Sequence, residues 1–498
     1  MLRFAGGVAA VVLVAPVLAA CSSAPATPTA APPTPVPHPT DVLPTVAPPT
    51  AVPTAAPTAA ATAAATAAPT AVPTVAATPT AATNPAALPA AELTWLQVDY
   101  VPFVDISKKI IADFKPLQPN ITVNLTTLPG DSYATKEKLQ ATAGTPYDVS
   151  FVCCGDVATY GELGLLLNLD PYITSSKLDR GIYFAGSFWE GLFDAETKYL
   201  GSGNVLALPV NYVMDYHVYN KTMLKKAGVD EPSWDWTWAD MQAMAVKLTL
   251  DKNGKKPTDA GFDPANIVQY GYSDQYWNFY DYFIAAGGRW VTPDNKVVIN
   301  SPANLTATTY LVDLIHKYHV MPGKKAGPDI PLFPTGKSIA TVKTGFWDWT
   351  PYVTDIKDFE WDVVPVPIGP TGQRIAYGGS NQFASWKGLK SPDAAWALLS
   401  WIASPEMTLK YWSTKGVPSV KAAALSPDFQ KIAQLTPKMA KLAGESGAYI
   451  QSNDPTIRKG EWFAALSAEL DPVWEGKVAP ADGLKSAQAK VEAIMNRH

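Results

Sequence analysis

The sequence predicts an α/β protein with a parallel sheet, divided into two lobes and carried on a long tether. Three observations predict it. Strand-like and helix-like segments alternate from Glu92 onward. The stretch from that point is about 400 residues, longer than the roughly 250 to 300 that one hydrophobic core serves. The residues before it, Ser22 to Ala91, are almost entirely Ala, Pro and Thr.

The chain opens MLRFAGGVAAVVLVAPVLAACSS, with a basic Arg3 and an apolar run from Phe4 to Leu18 that leads into Leu18-Ala19-Ala20-Cys21. Small residues after a short apolar run predict a secretory signal over residues 1–20. The run is shorter than the roughly 20 residues of a spanning helix. Leu-Ala-Ala-Cys resembles a lipobox, which implies that Cys21 is lipidated. Two acyl chains at one cysteine hold a protein on a membrane where a single chain does so only marginally.

Residues 21–91 then read as a disordered tether. The segment after Cys21 has no aromatic residue and one formal charge, Asp41, so it cannot bury enough apolar surface to offset the entropy of ordering. Its reach lies between about 50 Å as a flexible coil and about 200 Å in a polyproline-like form. All 16 tryptophans lie beyond it.

Along the globular part, ELTWLQVDY predicts a strand, ISKKIIADFKPL a helix broken near Pro116, and ITVNLTTLP a second strand. SYATKEKLQATAG follows as a helix ended by Gly144, and YDVSFVCC as a third, nearly all-apolar strand. This order predicts parallel pairing with ligands at the carboxyl ends of the strands, here Asp99 with Tyr100, Leu128 with Pro129, and Cys153 to Asp156. LALPVNYVMDYHVYNKTMLKKAG (206–228) predicts a strand carrying Asn211, Asp215 and His217 among tyrosines, then a helix stopped by Gly228. In WDWTWADM, Thr237 and Asp240 have the spacing of a capping box. DKNGKKPTD lacks the closing acid of an EF-hand loop and reads as a turn on Asn253 and Gly254. LTATTYLVDLIHKYHVMPG predicts an amphipathic helix, SIATVKTGFWDW a strand running into aromatics, and the region from about Gly460 a helical tail.

Several of these pieces occur in one order: YDVSF, YGELGLLLNLDPYI, ALPVNYVMDYHVYNKTMLKKAGV, WTWADM, IAAGGRW, GFWDW, VPVP before YGGSNQFAS, and SPEMTLKYW with KGVPSV. Together they resemble the extracellular solute-binding proteins of ABC sugar importers, the group that includes maltose-binding protein. The resemblance implies a two-lobed periplasmic-binding-protein-like fold with hinge strands and an interlobe cleft. Lobe 1 would comprise residues 92–210 and 376–415, and lobe 2 residues 211–375 and 416–498. It implies a carbohydrate ligand, ABC transporter permease subunits as partners, a monomer, and an extracytoplasmic place on the bacterial cell membrane. Polar residues on the crossing strand would then face a wet cleft.

Pyranose rings offer apolar C–H faces to aromatic rings and an equator of hydroxyls to donors and acceptors. The family pattern, matched position by position, implies Trp277, Trp347 and Trp462 as stacking platforms and Asp99 with Tyr100 as a polar contact. Gly155 and Asp156 would lie in a sugar-contacting loop, and Tyr212, Asp215 and Gln275 beside the ligand. Gly379 and Ser380, in GGSN, would bring backbone N–H groups close. The sequence departs from maltose-binding protein at Val152, where an aromatic stands, and at Gly155, Val213 and Gln275, where acids stand. These changes leave the sugar unnamed. Trp95, Trp189, Trp396, Trp401 and Trp412 read as structural.

Other chemistries find little support. The formal net charge of -5 gives no basic excess, which argues against nucleic acid. His316 and His319 lack a third ligand nearby, and Cys153 and Cys154 lack a second cysteine pair, so no metal site is expected. No nucleophile elbow, His-Glu-x-x-His or phosphate loop occurs, and neither a catalytic residue nor a cofactor is assigned. The alternatives are the same receptor fold for a sugar phosphate ester or a peptide, and a surface glycoside-acting enzyme, whose paired carboxylates are set by spatial rather than sequence spacing.

Overall fold

Three βα steps open the fold, as the alternation predicts. The computed structural model describes residues 88–153, 156–176, 203–274, 279–292, 294–324, 333–424, 426–451, 456 and 458–497. Residues 1–87, and with them the signal, Cys21 and nearly all of the tether, lie outside the described residues, as do Cys154 and Trp189. β1 (Ala91–Val98) pairs in parallel with β2 (Ile121–Leu128), Trp95 opposite Leu125, and with β3 (Val149–Cys153), Trp95 opposite Val149. The helix Val101–Phe114 buries Phe103, Ile106, Ile110 and Phe114, a helical stripe that covers this sheet. It begins more than a turn before the expected Ile106, because Pro102 stands in the first turn, where its missing N–H leaves no bond unmade.

β4 (Ala207–Asn220) organises the rest. Its first half pairs antiparallel with β9 (Ala376–Ala384), from Ala207 opposite Ala384 to Met214 opposite Gly378. Its second half pairs with β7 (Thr341–Gly345), from Asp215 opposite Gly345 to Tyr219 opposite Thr341. It also pairs with β8 (Trp361–Val364), from His217 opposite Val364 to Asn220 opposite Trp361. β10 (Val417–Pro418) joins β4 beside Tyr212, and β11 (Ile450–Gln451) joins β9 at Ala376. Among the described residues these strands form one continuous sheet, ordered β10-β4-β9-β3-β1-β2, while β5 (Leu250–Asp251) and β6 (Ile267–Gln269) pair apart from it.

β4 passes from one core to another between Val210 and Tyr212, a few residues before its partners change at Met214 and Asp215. One core gathers Leu93, Trp95, Ile110, Val149, Val210, Phe383, Leu399 and Trp412. Beyond Val210, one cluster holds Tyr212, Met214, Tyr216, Phe346 and Trp349, and another holds Tyr219, Met241, Phe283, Leu311 and Val473.

Local signals in the sequence explain the flanking elements. Asn220 caps the helix Lys221–Ala227 by accepting from the Met223 N–H, and Gly228 ends it at φ 64°, where a side chain would be strained. Thr237 and Asp240 form the expected capping box. The Asp251 carboxylate accepts from the N–H groups of Asn253, Lys255 and Asp263 and organises the turn at Gly254. His316 ends the helix Pro302–His316 and pairs its Nε2 with the Trp474 carbonyl at 2.9 Å. Trp95, Trp396 and Trp412 are buried, and Trp401 is half-buried.

One expectation is corrected. The polar residues of β4 do not face a wet cleft: Asn211, Asp215 and His217 are all buried. Burial is tolerated at Asn211 because it donates to the Trp412 carbonyl and accepts from the Asn381 amide, both at 2.8 Å. Asp215 has a cation beside it.

Candidate functional site

Where the two regions of the sheet meet, strand ends deliver polar and aromatic side chains to one place. β1 ends at Asp99, whose N–H donates to the Leu128 carbonyl, and at Tyr100, an exposed ring that begins the following helix. β7 ends at Gly345 and passes through a single 3-10 turn, Phe346–Asp348, into the helix Trp349–Asp355. Phe346 and Trp349 point into the core, which leaves Trp347 half-buried. Its ring lies on the backbone of Gly345, where an added Cβ would stand 2.1 Å from a ring carbon. The glycine makes room for the indole.

Asp348 accepts from the Thr344 hydroxyl. Burial raises its carboxyl above the usual range, opposed by Thr344, the Lys415 charge and Trp347. Lys415 precedes β10, and the Thr350 hydroxyl donates to the neighbouring Thr414 carbonyl at 2.6 Å, tying the helix of Asp348 to this turn. The Lys415 ammonium lies 5.6 Å from the centre of the Tyr100 ring. Burial lowers its pKa, and Asp348 opposes that. Two partly accessible aromatic rings thus accompany a cation and a carboxylate.

Beneath this surface lies a charged cluster that the sequence reading missed. Lys343, on β7, is wholly buried, with Asp281 at 2.7 Å, Asp274 at 3.4 Å and Asp215 at 4.0 Å. Burial alone would lower the lysine pKa, but the three carboxylates outweigh it and raise it. The Tyr272 hydroxyl donates to Asp274 and contacts that of Tyr282, over whose ring Lys343 lies at 4.7 Å. His217 stacks on Tyr272 with rings 5.5 Å apart. Burial first, then the Lys343 charge, holds it well below the usual histidine range, so it is neutral. A lysine inside the otherwise uncharged SIATVKTG was the available signal, since a central strand hosts a cation only with carboxylates around it.

A second charged contact joins distant parts of the chain. Asp156, at the start of the helix Asp156–Glu162, faces Lys459, at the start of the helix Lys459–Trp474. Its carboxyl is pushed up to about 6 by burial, which the Lys459 charge only partly offsets. Nearby Glu137, buried and accepting from the Tyr160 hydroxyl at 2.9 Å, is raised further by burial. An acid whose folded pKa exceeds its unfolded value lowers stability as pH rises between the two. Asp156→Asn should therefore raise the melting temperature at pH 7.5 and change it little at pH 4. An equal shift at both pH values would show that the carboxylate carries no such penalty.

The sequence-predicted site residues fall into three groups. Asp99, Tyr100, Trp347 and Asp156 are at strand or helix ends with side chains exposed or half-buried. Gly155, Gln275 and Trp277 lie outside the described residues. Tyr212, Asp215, Ser380 and Trp462 are buried, as is Gly379. Trp462 packs beside Trp290 and Phe463 and donates to the Thr456 hydroxyl at 3.1 Å, and Asp215 faces Lys343. Neither presents surface to a ligand in this conformation. The glycines of GGSN also serve a different end: β9 is paired with β4 there, and Gly378 makes room for Ile450, whose Cγ2 would lie 2.3 Å from an added Cβ. Lys415 and Asp348 were missed because only the fold brings them beside Tyr100.

A mixed α/β protein whose long strand passes from one core to another, with strand ends meeting at the junction, is the two-lobed fold of solute-binding proteins. The sequence profile of the bacterial extracellular solute-binding proteins matches residues 101–408, and the chain belongs to that family. A binding protein of Brucella abortus (strain 2308) is 24% identical over 409 residues, covering 80% of this chain and 90% of its own. The substrate-binding protein Lmo0181 of Listeria monocytogenes, solved with cycloalternan, is 25% identical with a TM-score of 0.69, covering 82% of this chain and 99% of its own. Maltose-bound MalE3 of T. maritima is 20% identical with a TM-score of 0.66, covering 81% and 99%. Among the described residues no helix is long and apolar enough to cross a membrane.

Proposed function

We propose that the chain is a receptor tethered to the outer side of a bacterial membrane, which captures a sugar or short oligosaccharide and hands it to an ABC permease. The ligand would lie between a first lobe of residues 92–210 and 376–415 and a second of 211–375 and 416–498. The observation that carries this reading is the pairing of half-buried Trp347 and exposed Tyr100 with Asp348 and Lys415 at the junction of the two cores. Aromatic faces with a few placed polar groups are what a pyranose requires. The cycloalternan and maltose held by the structural relatives support the same ligand class.

The mechanism is closure about β4. Ligand that touches both lobes favours the closed state by the contacts it makes only there. A thermal-shift screen against a carbohydrate panel tests the ligand class, because a ligand that binds only the native state must raise its melting temperature. Small-angle scattering with the ligand so found tests closure. A panel without any shift would remove the carbohydrate reading, and an unchanged radius with a proven ligand would remove the closure.

Attachment is tested separately. Cys21→Ser removes the thiol to be lipidated, so the protein is expected in the soluble fraction or as an unprocessed precursor, read by fractionation and intact mass. Mature protein still in the membrane fraction would rule out the lipid anchor.

A further inference from the structure

Lys415 stands just before β10, beside the Tyr100 ring. It is only 4% exposed, yet among the described residues its ammonium makes no hydrogen bond or ion pair with the protein. The buried Lys343 is treated differently, with three carboxylates within 4.0 Å. Asp348, the anion that acts on Lys415, is engaged by the Thr344 hydroxyl instead. The hydroxyls of Tyr216 and Ser380 are among the buried polar atoms without a hydrogen-bond partner among the described residues. The Tyr216 hydroxyl lies within the electrostatic reach of Asp348, and Ser380 stands opposite Tyr212, which is also the β4 partner of Val417, just after Lys415.

An unpaired buried cation costs stability, and so does each unsatisfied hydroxyl. Such groups collect where a ligand completes them. We infer that Lys415 is a ligand-binding residue, its ammonium held over the Tyr100 ring with no hydrogen bond or ion pair among the described residues, so that it donates to hydroxyl or ring oxygens of a bound carbohydrate. Asp348 is the matching acceptor for a ligand hydroxyl. An ammonium offers three donors and no acceptor, and a carboxylate the reverse, so the two together read both halves of a sugar hydroxyl's bonding. The inference rests on the proposed carbohydrate receptor and names the residue that sets its affinity.

The test uses the full chain, titrated with maltose, maltotriose, cycloalternan and tagatose, and Lys415→Met beside Lys415→Gln. Both variants are expected to weaken binding of the sugar that wild type takes by about tenfold or more, the worth of a charged hydrogen bond. Without ligand, Lys415→Met is expected to melt no lower than wild type, because it removes a buried charge that no hydrogen bond or ion pair among the described residues holds. A deoxy analogue of the same sugar that loses affinity in wild type but not in Lys415→Met would locate the contacted oxygen. Affinity within twofold of wild type in both variants overturns the inference and leaves the receptor reading standing. A lower melting temperature with unchanged affinity does the same and makes Lys415 structural. Wild type that binds none of the four sugars and shows no thermal shift across the carbohydrate panel removes the carbohydrate reading and this inference with it.

Discussion

Trp347→Ala is expected to weaken carbohydrate binding by about tenfold to over a hundredfold, the worth of roughly 1.5 to 3 kcal/mol of apolar contact. Unliganded stability should fall little. The ring is half-buried and rests on Gly345, while its neighbours Phe346 and Trp349 are the residues that fill the core. Trp349→Ala, two residues on at the start of the following helix, gives the contrasting result, because a wholly buried indole leaves a cavity and costs about 3 to 5 kcal/mol of folding stability. Titration calorimetry and thermal denaturation on one preparation separate the two. Marked destabilisation of Trp347→Ala at unchanged affinity would place that ring in the core.

Lys343→Met is expected to destabilise the protein by about 3 to 5 kcal/mol, because it leaves the carboxylates of Asp215, Asp274 and Asp281 buried without their cation. The methionine fills similar volume, so the loss is electrostatic rather than one of packing. Asp281 is already raised by burial with the lysine present, and removing the lysine raises it further. A raised folded pKa in an acid lowers stability as pH climbs from the unfolded value through the folded one. The variant should therefore be most compromised near pH 7.5 and recover toward pH 5. Urea denaturation at both pH values checks this, and a loss below about 1 kcal/mol at pH 7.5 would mean that the cluster is not held by its charges.

Much of the fold was legible because local signals and global placement agree. The helix pattern from Ile106 to Phe114, the Thr237–Asp240 capping box and Gly228 each mark an element that the structure contains. Positions were legible where chain order alone puts a residue at a strand end, as with Asp99, Tyr100 and Trp347. Lys415 and Lys343 were not, because what distinguishes them is the presence or absence of partners far along the chain. The β4 residues were misread for the same reason. A polar side chain in a strand signals either water or a distant partner, and Asn211 has its partners at Trp412 and Asn381.

β9 lies between β3 and β4, yet it is made long after both. The Ser150 hydroxyl that receives the Trp386 indole N–H is 236 positions earlier in the chain. Closing a loop of that length costs about 2.7 kcal/mol more than closing one of about a dozen residues, by the logarithmic dependence on length. Pairings so remote slow folding, and until β9 arrives β3 exposes an unpaired edge that can template association with another chain. Synthesis past Trp412, the last large ring of the first core, is thus a precondition for closing a core that begins at Leu93. A chain cut before Ala376 would keep most of the residues of that core and still lack the strand that seals them, which makes premature termination in this protein an aggregation hazard rather than a route to a smaller folded domain.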